Sequence, residues 1–144
     1  MKVLVINGPN LNMLGIRNPK VYGTATYAEL VDYIGRKAKE LCIDVRIIQS
    51  NSEGELVTAI QQAFNVYDGI VLNAAAYTHT SVAILDALEA VSIPTVEVHL
   101  SDIAKREEFR HHSYVSLYAF KTIKGFGFEG YAMALEELIK HNSL

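Results

Sequence analysis

The chain contains no tryptophan, one cysteine, three prolines and no excess of basic residues. Each scarcity excludes something. A single cysteine, Cys42, cannot close an internal disulfide, so a disulfide-stapled scaffold is excluded and a reducing compartment fits. Flanked by Leu41 and Ile43, it is expected to be a buried structural thiol. No CxxC or HxxxH spacing occurs, so a metal site has little support, and no Walker A sequence occurs either. Lys and Arg number 13 against 16 Asp and Glu, a formal net charge of −3. That balance argues against a nucleic-acid partner held by phosphate neutralisation. The N-terminal apolar run Val3 to Ile6 is broken at once by Asn7-Gly8. It is too short for a signal-peptide core or a membrane span, so no membrane partner and a cytoplasmic location are expected. Proline-rich tracts, low-complexity segments, linkers and internal repeats are all missing.

What is present is a core. Half of the 144 residues are hydrophobic and 20% are charged, which excludes general disorder. The length corresponds to one domain, residues 1–144, able to bury roughly 68–70% of its unfolded surface. It is too short for a (β/α)₈ barrel of about 250 residues.

Short apolar runs alternate with helical patterns. Strands are expected at Val3 to Ile6, Val45 to Ile48, Ile70 to Leu72, Thr95 to Val98 and Ala119 to Ile123. Thr26 with Glu29 and Ser52 with Glu55 read as capping boxes. The first opens a helix with Leu30, Ile34, Ala38 and Leu41 on one face; the second opens one with Leu56, Ile60, Ala63 and Phe64. Further helices are expected at Ser81 to Ala90, at Ile103 to Phe109 as a short charged segment, and around Tyr131, Leu135, Leu138 and Ile139. Five βα units with apolar strands predict an α/β fold, a flavodoxin-like doubly wound parallel sheet in the order 2-1-3-4-5.

Ligands in such sheets bind outside the carboxyl ends of the strands. Strand one ends in Asn7-Gly8-Pro9-Asn10, strand three in Asn73 followed by Tyr77 to Ser81, and strand four in Glu97-Val98-His99-Leu100-Ser101-Asp102. Arg106 and Arg110 follow closely. Polar groups from three strands therefore converge on one edge.

Within that set, Glu97 and His99 are two apart on a strand and share a face. A carboxylate beside an imidazole can orient it for general acid work, although alone a structural histidine is as good an account. The loop from Gly8 to Thr26 is long for a βα connection and carries Arg17 and Tyr22. A lid around residues 15–25 could bring both into the pocket, where a cation beside the phenol lowers its pKa towards that of a usable base. A packed tyrosine beside a solvated arginine is the plainer account of that spacing. Thr78, Thr80 and Ser81 are candidates for capping the third helix, next to His79. Asp86 lies either on that helix's exposed edge or at an interface. Arg106 and Arg110, four apart, would share a face if helical and could bind a carboxylate. Gly125 to Gly130 matches GxGxxG but lies in the last βα unit, so it reads as a close-packed turn rather than a dinucleotide site.

These residues resemble one family: the type II 3-dehydroquinate dehydratases. The resemblance lies in NGPNLNMLGIRNPKVYG (Asn7 to Gly23), QSNSEGEL (Gln49 to Leu56), NAAAYTHTSVAILDAL (Asn73 to Leu88), EVHLSDIAKREEFRHHS (Glu97 to Ser113) and GFGFEGYAMAL (Gly125 to Leu135). It implies a flavodoxin-like, cofactor-free and metal-free lyase that converts 3-dehydroquinate, a small anionic substrate, to 3-dehydroshikimate in the shikimate pathway, by anti elimination through an enolate. Carried over, Tyr22 would be the base, Arg17 would lower its pKa, and His99, oriented by Glu97, would be the general acid. Asn10 with the Ala75–Ala76 backbone would hold the water that stabilises the enolate oxygen. Asn73, His79, Leu100, Ser101 and Arg110 would bind substrate, and Arg106 would support the lid. Asp86 would reach into a neighbouring subunit, since the family forms trimers that assemble into dodecamers. Two positions depart from the family pattern: Ala75 stands where Gly is frequent, and Asp102, where Asn is commoner, would add negative charge near an anionic substrate.

The alternatives are a flavodoxin-like binding module, a receiver domain and a structural assembly protein. The first lacks a hydroxyl-rich phosphate loop after strand one and a tryptophan to stack on a flavin; the second wants an acidic residue where Asn73 stands. The third leaves the Arg17–Tyr22 and Glu97–His99 pairs without purpose.

Overall fold

The computed structural model describes residues 1–16, 20 and 24–144. Five parallel strands form one sheet: β1 (Lys2–Asn7), β2 (Asp44–Gln49), β3 (Gly69–Asn73), β4 (Thr95–His99) and β5 (Lys121–Lys124). Their spatial order is β2-β1-β3-β4-β5, as the pattern of apolar runs predicts. Four α-helices flank it among the described residues: α1 (Tyr27–Glu40), α2 (Glu53–Gln62), α3 (Val82–Val91) and α4 (Glu129–Asn142).

Alternation along the central strands builds two cores. Val3, Val5, Val71, Val96 and Val98 face one side and pack with Leu30 and Ile34 of α1 and Tyr131, Leu135 and Leu138 of α4. Leu4, Ile6, Ile70 and Leu72 face the other and pack with Leu56 and Ile60 of α2 and Ile84 and Leu88 of α3. The three central strands carry apolar residues on both faces because both are covered; β2 and β5, at the edges, are only partly buried. No helix among the described residues is long and apolar enough to cross a membrane.

Local signals account for the helix starts. Thr26 and Glu29 make a complete capping box. At α2, Ser52 Oγ accepts the Glu55 N–H at 3.2 Å. The reciprocal half is missing, because the Glu55 carboxylate takes the Ser50 hydroxyl instead. Ser81, rather than Thr78 or Thr80, caps α3.

Four expectations need correction. Cys42 is exposed, because the chain leaves α1 through a left-handed residue there (φ 57°), which turns the thiol outward despite its apolar neighbours. Phe64 is also exposed, since α2 ends at Gln62 and the apolar face does not continue. The charged segment after β4 is two short 3₁₀ turns, Ile103–Lys105 and Glu108–Arg110, rather than one helix. Arg106 between them is extended (φ −101°, ψ −169°), and the Asp102 side chain caps the first turn by accepting the Ala104 N–H at 3.0 Å. The fifth strand begins at Lys121, two residues later than expected.

Candidate active site

The strand order reverses at β1, so the carboxyl ends of β1 and β3 leave a crevice between diverging connections. Gly8 makes that crevice tight. Its N–H donates to the Asn73 carbonyl at 2.8 Å, and a Cβ there would stand 2.4 Å from the Ala74 carbonyl oxygen. At the far side, the GxGxxG stretch is the strand-to-helix turn into α4. The N–H groups of Gly125 and Gly127 donate to the carbonyls of His99 and Leu100, at 3.3 and 3.0 Å, and so fix the backbone just past β4.

A cleft opens at this edge. From the first loop it is lined by Pro9, Asn10 and Leu11; from β3 and the turn Ala75–His79, by Asn73, Ala75, Ala76 and His79. His99, Leu100, Ser101 and Ile103 line it from β4, with Arg106 and Arg110 beyond. The structure thus brings together Asn10, Asn73, His79, His99, Leu100, Ser101, Arg106 and Arg110. The two arginines reach the cleft without sharing a helix face. Asp86 is exposed on α3 and does not line this cleft; Asp102 does not line it either. Arg17 and Tyr22 lie outside the described residues.

Behind His99 sits a buried carboxylate with an unusual number of donors. Glu97 Oε2 accepts from His99 Nε2, from Ser113 Oγ at 2.6 Å and from Thr78 Oγ1 at 3.1 Å. Its Oε1 accepts from Ser116 Oγ and from Thr122 Oγ1 at 3.1 Å. Burial by itself pushes the Glu97 pKa up. The bond and charge of His99 and the Ser113 and Ser116 hydroxyls outweigh that and hold it down at about 2. Glu97 is therefore ionised near neutral pH, and its tie to Nε2 leaves Nδ1 as the His99 nitrogen for a molecule in the cleft.

His79 differs. Its Nδ1–H donates to the His112 carbonyl at 2.7 Å. Burial lowers its pKa, with the charges of His99 and Arg110 adding to the effect against the opposing carbonyl bond and Glu97. A neutral ring in this tautomer offers Nε2 as an acceptor for a hydroxyl. Arg110 donates through Nε to Glu107 at 2.6 Å, so its terminal nitrogens remain for an anion.

Asn73 is held from below. Its Nδ2 donates to the Tyr131 hydroxyl at 3.0 Å, which donates in turn to Asn7 Oδ1 at 2.6 Å. Burial raises the Tyr131 pKa, so the phenol stays protonated and can donate. Asn73 Oδ1 accepts the Ala75 N–H at 3.1 Å, supporting a left-handed backbone there (φ 53°). That conformation suits glycine, so Ala75 carries a strain that Gly would not.

Ser113, Ser116 and Thr122 escape the sequence reading, and Asn7, Thr78 and Tyr131 enter it only as a strand end, a capping candidate and a helix residue, because the bonds they make cross separate segments. Thr122 stands opposite Glu97 in the β4–β5 register, a pairing that exists only once the two strands meet.

Known proteins share this fold. The model of the class II dehydroquinase family matches residues 1–139. The chain belongs to the class II dehydroquinase family. It is 54% identical over 142 residues to a 3-dehydroquinate dehydratase of Clostridium perfringens, covering 98% of this chain and 97% of that one. The crystal structure of a type II dehydroquinase from Butyrivibrio crossotus superposes with a TM-score of 0.95 at 49% identity, over 96% of this chain and 97% of the other. That from Propionibacterium acnes gives 0.92 at 45% identity, with 96% of each covered. In this class II dehydroquinase, the stretches that carry the family resemblance supply every described residue that lines the cleft.

Proposed function

We propose that this chain is a 3-dehydroquinate dehydratase, a hydro-lyase that removes water from 3-dehydroquinate to give 3-dehydroshikimate. The observation that carries the reading is His99, bound to the ionised, fully buried Glu97 behind it, in a cleft that Arg106 and Arg110 also line. An anionic substrate suits those two positive side chains, and an imidazole braced by a carboxylate suits protonation of a departing hydroxyl.

In the reaction proposed, Tyr22 takes the proton alpha to the ketone, with Arg17 lowering its pKa. An enolate forms, stabilised by a water on Asn10 and the Ala75–Ala76 backbone, and His99 then protonates the leaving hydroxyl in an anti elimination. Asn73, His79, Leu100, Ser101 and Arg110 bind the substrate. His79 accepts from a hydroxyl and Arg110 meets the carboxylate. Asn73 takes part through the capacity left after its bonds to Tyr131 and Ala75. The route uses no metal and no Schiff base; no lysine is among the described residues that line the cleft.

The remaining elements of the proposal are a single catalytic domain over 1–144, a lid around residues 15–25 supported by Arg106, a cytoplasmic location, and trimers assembled into dodecamers with Asp86 serving a neighbour's site.

Mixing the protein with 3-dehydroquinate and following the ultraviolet absorbance of the conjugated enone tests the reaction. Product formation insensitive to borohydride added with substrate is expected; no product from a folded sample overturns the reading. Tyr22→Phe is expected to abolish turnover while substrate still binds. Retained turnover would remove Tyr22 from the base role.

A further inference from the structure

The stretch Gln49 to Leu56 carries part of the family resemblance but has no part in the reaction above. It meets the cleft from behind. Two non-glycine residues lining the cleft have left-handed backbones, Asn10 (φ 70°, ψ −4°) and Ala75 (φ 53°). Such a backbone is costly for alanine and less so for asparagine, and at each of the two positions a neighbouring amide oxygen takes the N–H and fixes the conformation. Asn73 holds Ala75. The matching partner of Asn10 is Asn51, whose Oδ1 accepts the Asn10 N–H at 3.0 Å.

Asn51 does more than make one bond. Its Oδ1 also accepts from Gln49 Nε2 at 3.2 Å, and the same Nε2 donates to the Gly8 carbonyl at 3.1 Å, two residues before Asn10. Its main-chain carbonyl accepts the Tyr77 hydroxyl at 2.9 Å, from the turn that forms the opposite wall. Asn51 itself does not line the cleft. It is exposed, so removing its side chain costs little packing and chiefly frees the Asn10 backbone.

We propose that Asn51 is a positioning residue, whose amide oxygen holds Asn10 in the left-handed conformation that sets its side chain at the cleft. The inference rests on the reading of Asn10 as a holder of the water that stabilises the enolate. That water acts on charge developing in the transition state, so a displaced Asn10 lowers kcat more than it raises KM. Displacements of this kind can cost up to about a hundredfold in rate.

The test compares Asn51→Ala, Asn51→Asp, Asn10→Ala and the Asn10→Ala/Asn51→Ala double variant. Asn51→Ala is expected to lower kcat by at least about tenfold with KM nearly unchanged. Asn51→Asp keeps the acceptor oxygen and is expected to restore most of the rate. On the Asn10→Ala background, Asn51→Ala is expected to add nothing, because the Asn10 side chain whose placement it supports is already gone. Wild-type kcat in Asn51→Ala, a change confined to KM, or losses that multiply in the double variant would overturn the proposal. Hydrogen exchange of the Asn10 amide gives an independent reading: slow in wild type and Asn51→Asp, fast in Asn51→Ala. If wild type fails to convert 3-dehydroquinate, the functional reading falls, while equal exchange in all three proteins overturns the positioning by itself. Should Asn51→Ala not fold, Asn51→Gln, which shifts the oxygen by one methylene, is read by the same rate and exchange measurements.

Discussion

Two glutamates near the cleft each meet a nitrogen-bearing partner, and they teach different things. Glu107 is exposed and bonds Arg110 three residues on. Its pKa is lowered by its own backbone N–H first and by Arg110 second. Solvent screens the pair, and the contact serves chiefly to orient the guanidinium. Glu97 is wholly buried and bonds His99 two residues on. Burial would neutralise it, yet the bond and charge of His99 and the Ser113 and Ser116 hydroxyls keep it charged, within a set of five donors. The same residue type is therefore a surface tether in one place and a structural keystone in the other. What separates them is the number of donors brought to a buried site.

The largest expected effect comes from breaking the buried member. Glu97→Ala leaves His99 and four hydroxyls without their acceptor and is expected to lower stability by about 3–5 kcal/mol, read from denaturant unfolding. A loss below about 1 kcal/mol would mean that water replaces the carboxylate freely.

Acid sharpens the contrast next. The folded pKa of Glu97, about 2, lies below its ordinary 4.5. Its contribution is therefore fully present above pH 4.5 and is lost as pH falls towards 2, a change of roughly 3 kcal/mol. The stability difference between wild type and Glu97→Gln should narrow across that window. A constant difference would show that the carboxylate's ionisation is not what holds the cluster.

The smallest effect is at the surface. Glu107→Gln is expected to leave the thermal midpoint unchanged and to alter only KM, through looser placement of Arg110. A clear drop in the midpoint would make the exposed pair part of the framework.

How much of this was readable beforehand follows from the range of each signal. The strand order came from runs of apolar residues such as Val3 to Ile6 and Ile70 to Leu72, which reflect burial on both faces. The Glu97–His99 meeting came from the two-residue period of a strand, which needs no tertiary knowledge. Asn10, His79, Ser101 and Arg110 reached the cleft because strand ends converge there in this topology. Arg106 and Arg110 arrived by a different path from the one their spacing implied: four residues apart reads as one helical turn, whereas Arg106 is an extended link between two 3₁₀ turns. Cys42 and Phe64 are exposed despite their apolar neighbours for a related reason. Hydropathy of neighbours says nothing about a left-handed exit from a helix or a helix that stops early. The hydroxyls around Glu97 lay beyond any local rule, because Thr78, Ser113, Ser116 and Thr122 meet only after the sheet is assembled.

That last fact sets an order of events during synthesis. Glu97 is made after Thr78 but before Ser113, Ser116 and Thr122, and β5 closes the edge of the sheet beside it. A nascent chain that has emerged only as far as β4 holds this carboxylate with its histidine and one hydroxyl, and lacks the three donors still to come. The His99 side of the cleft is thus among the last parts of the molecule to settle, and a chain cut short before residue 122 would keep most of its apolar strands yet never complete the set of donors around Glu97.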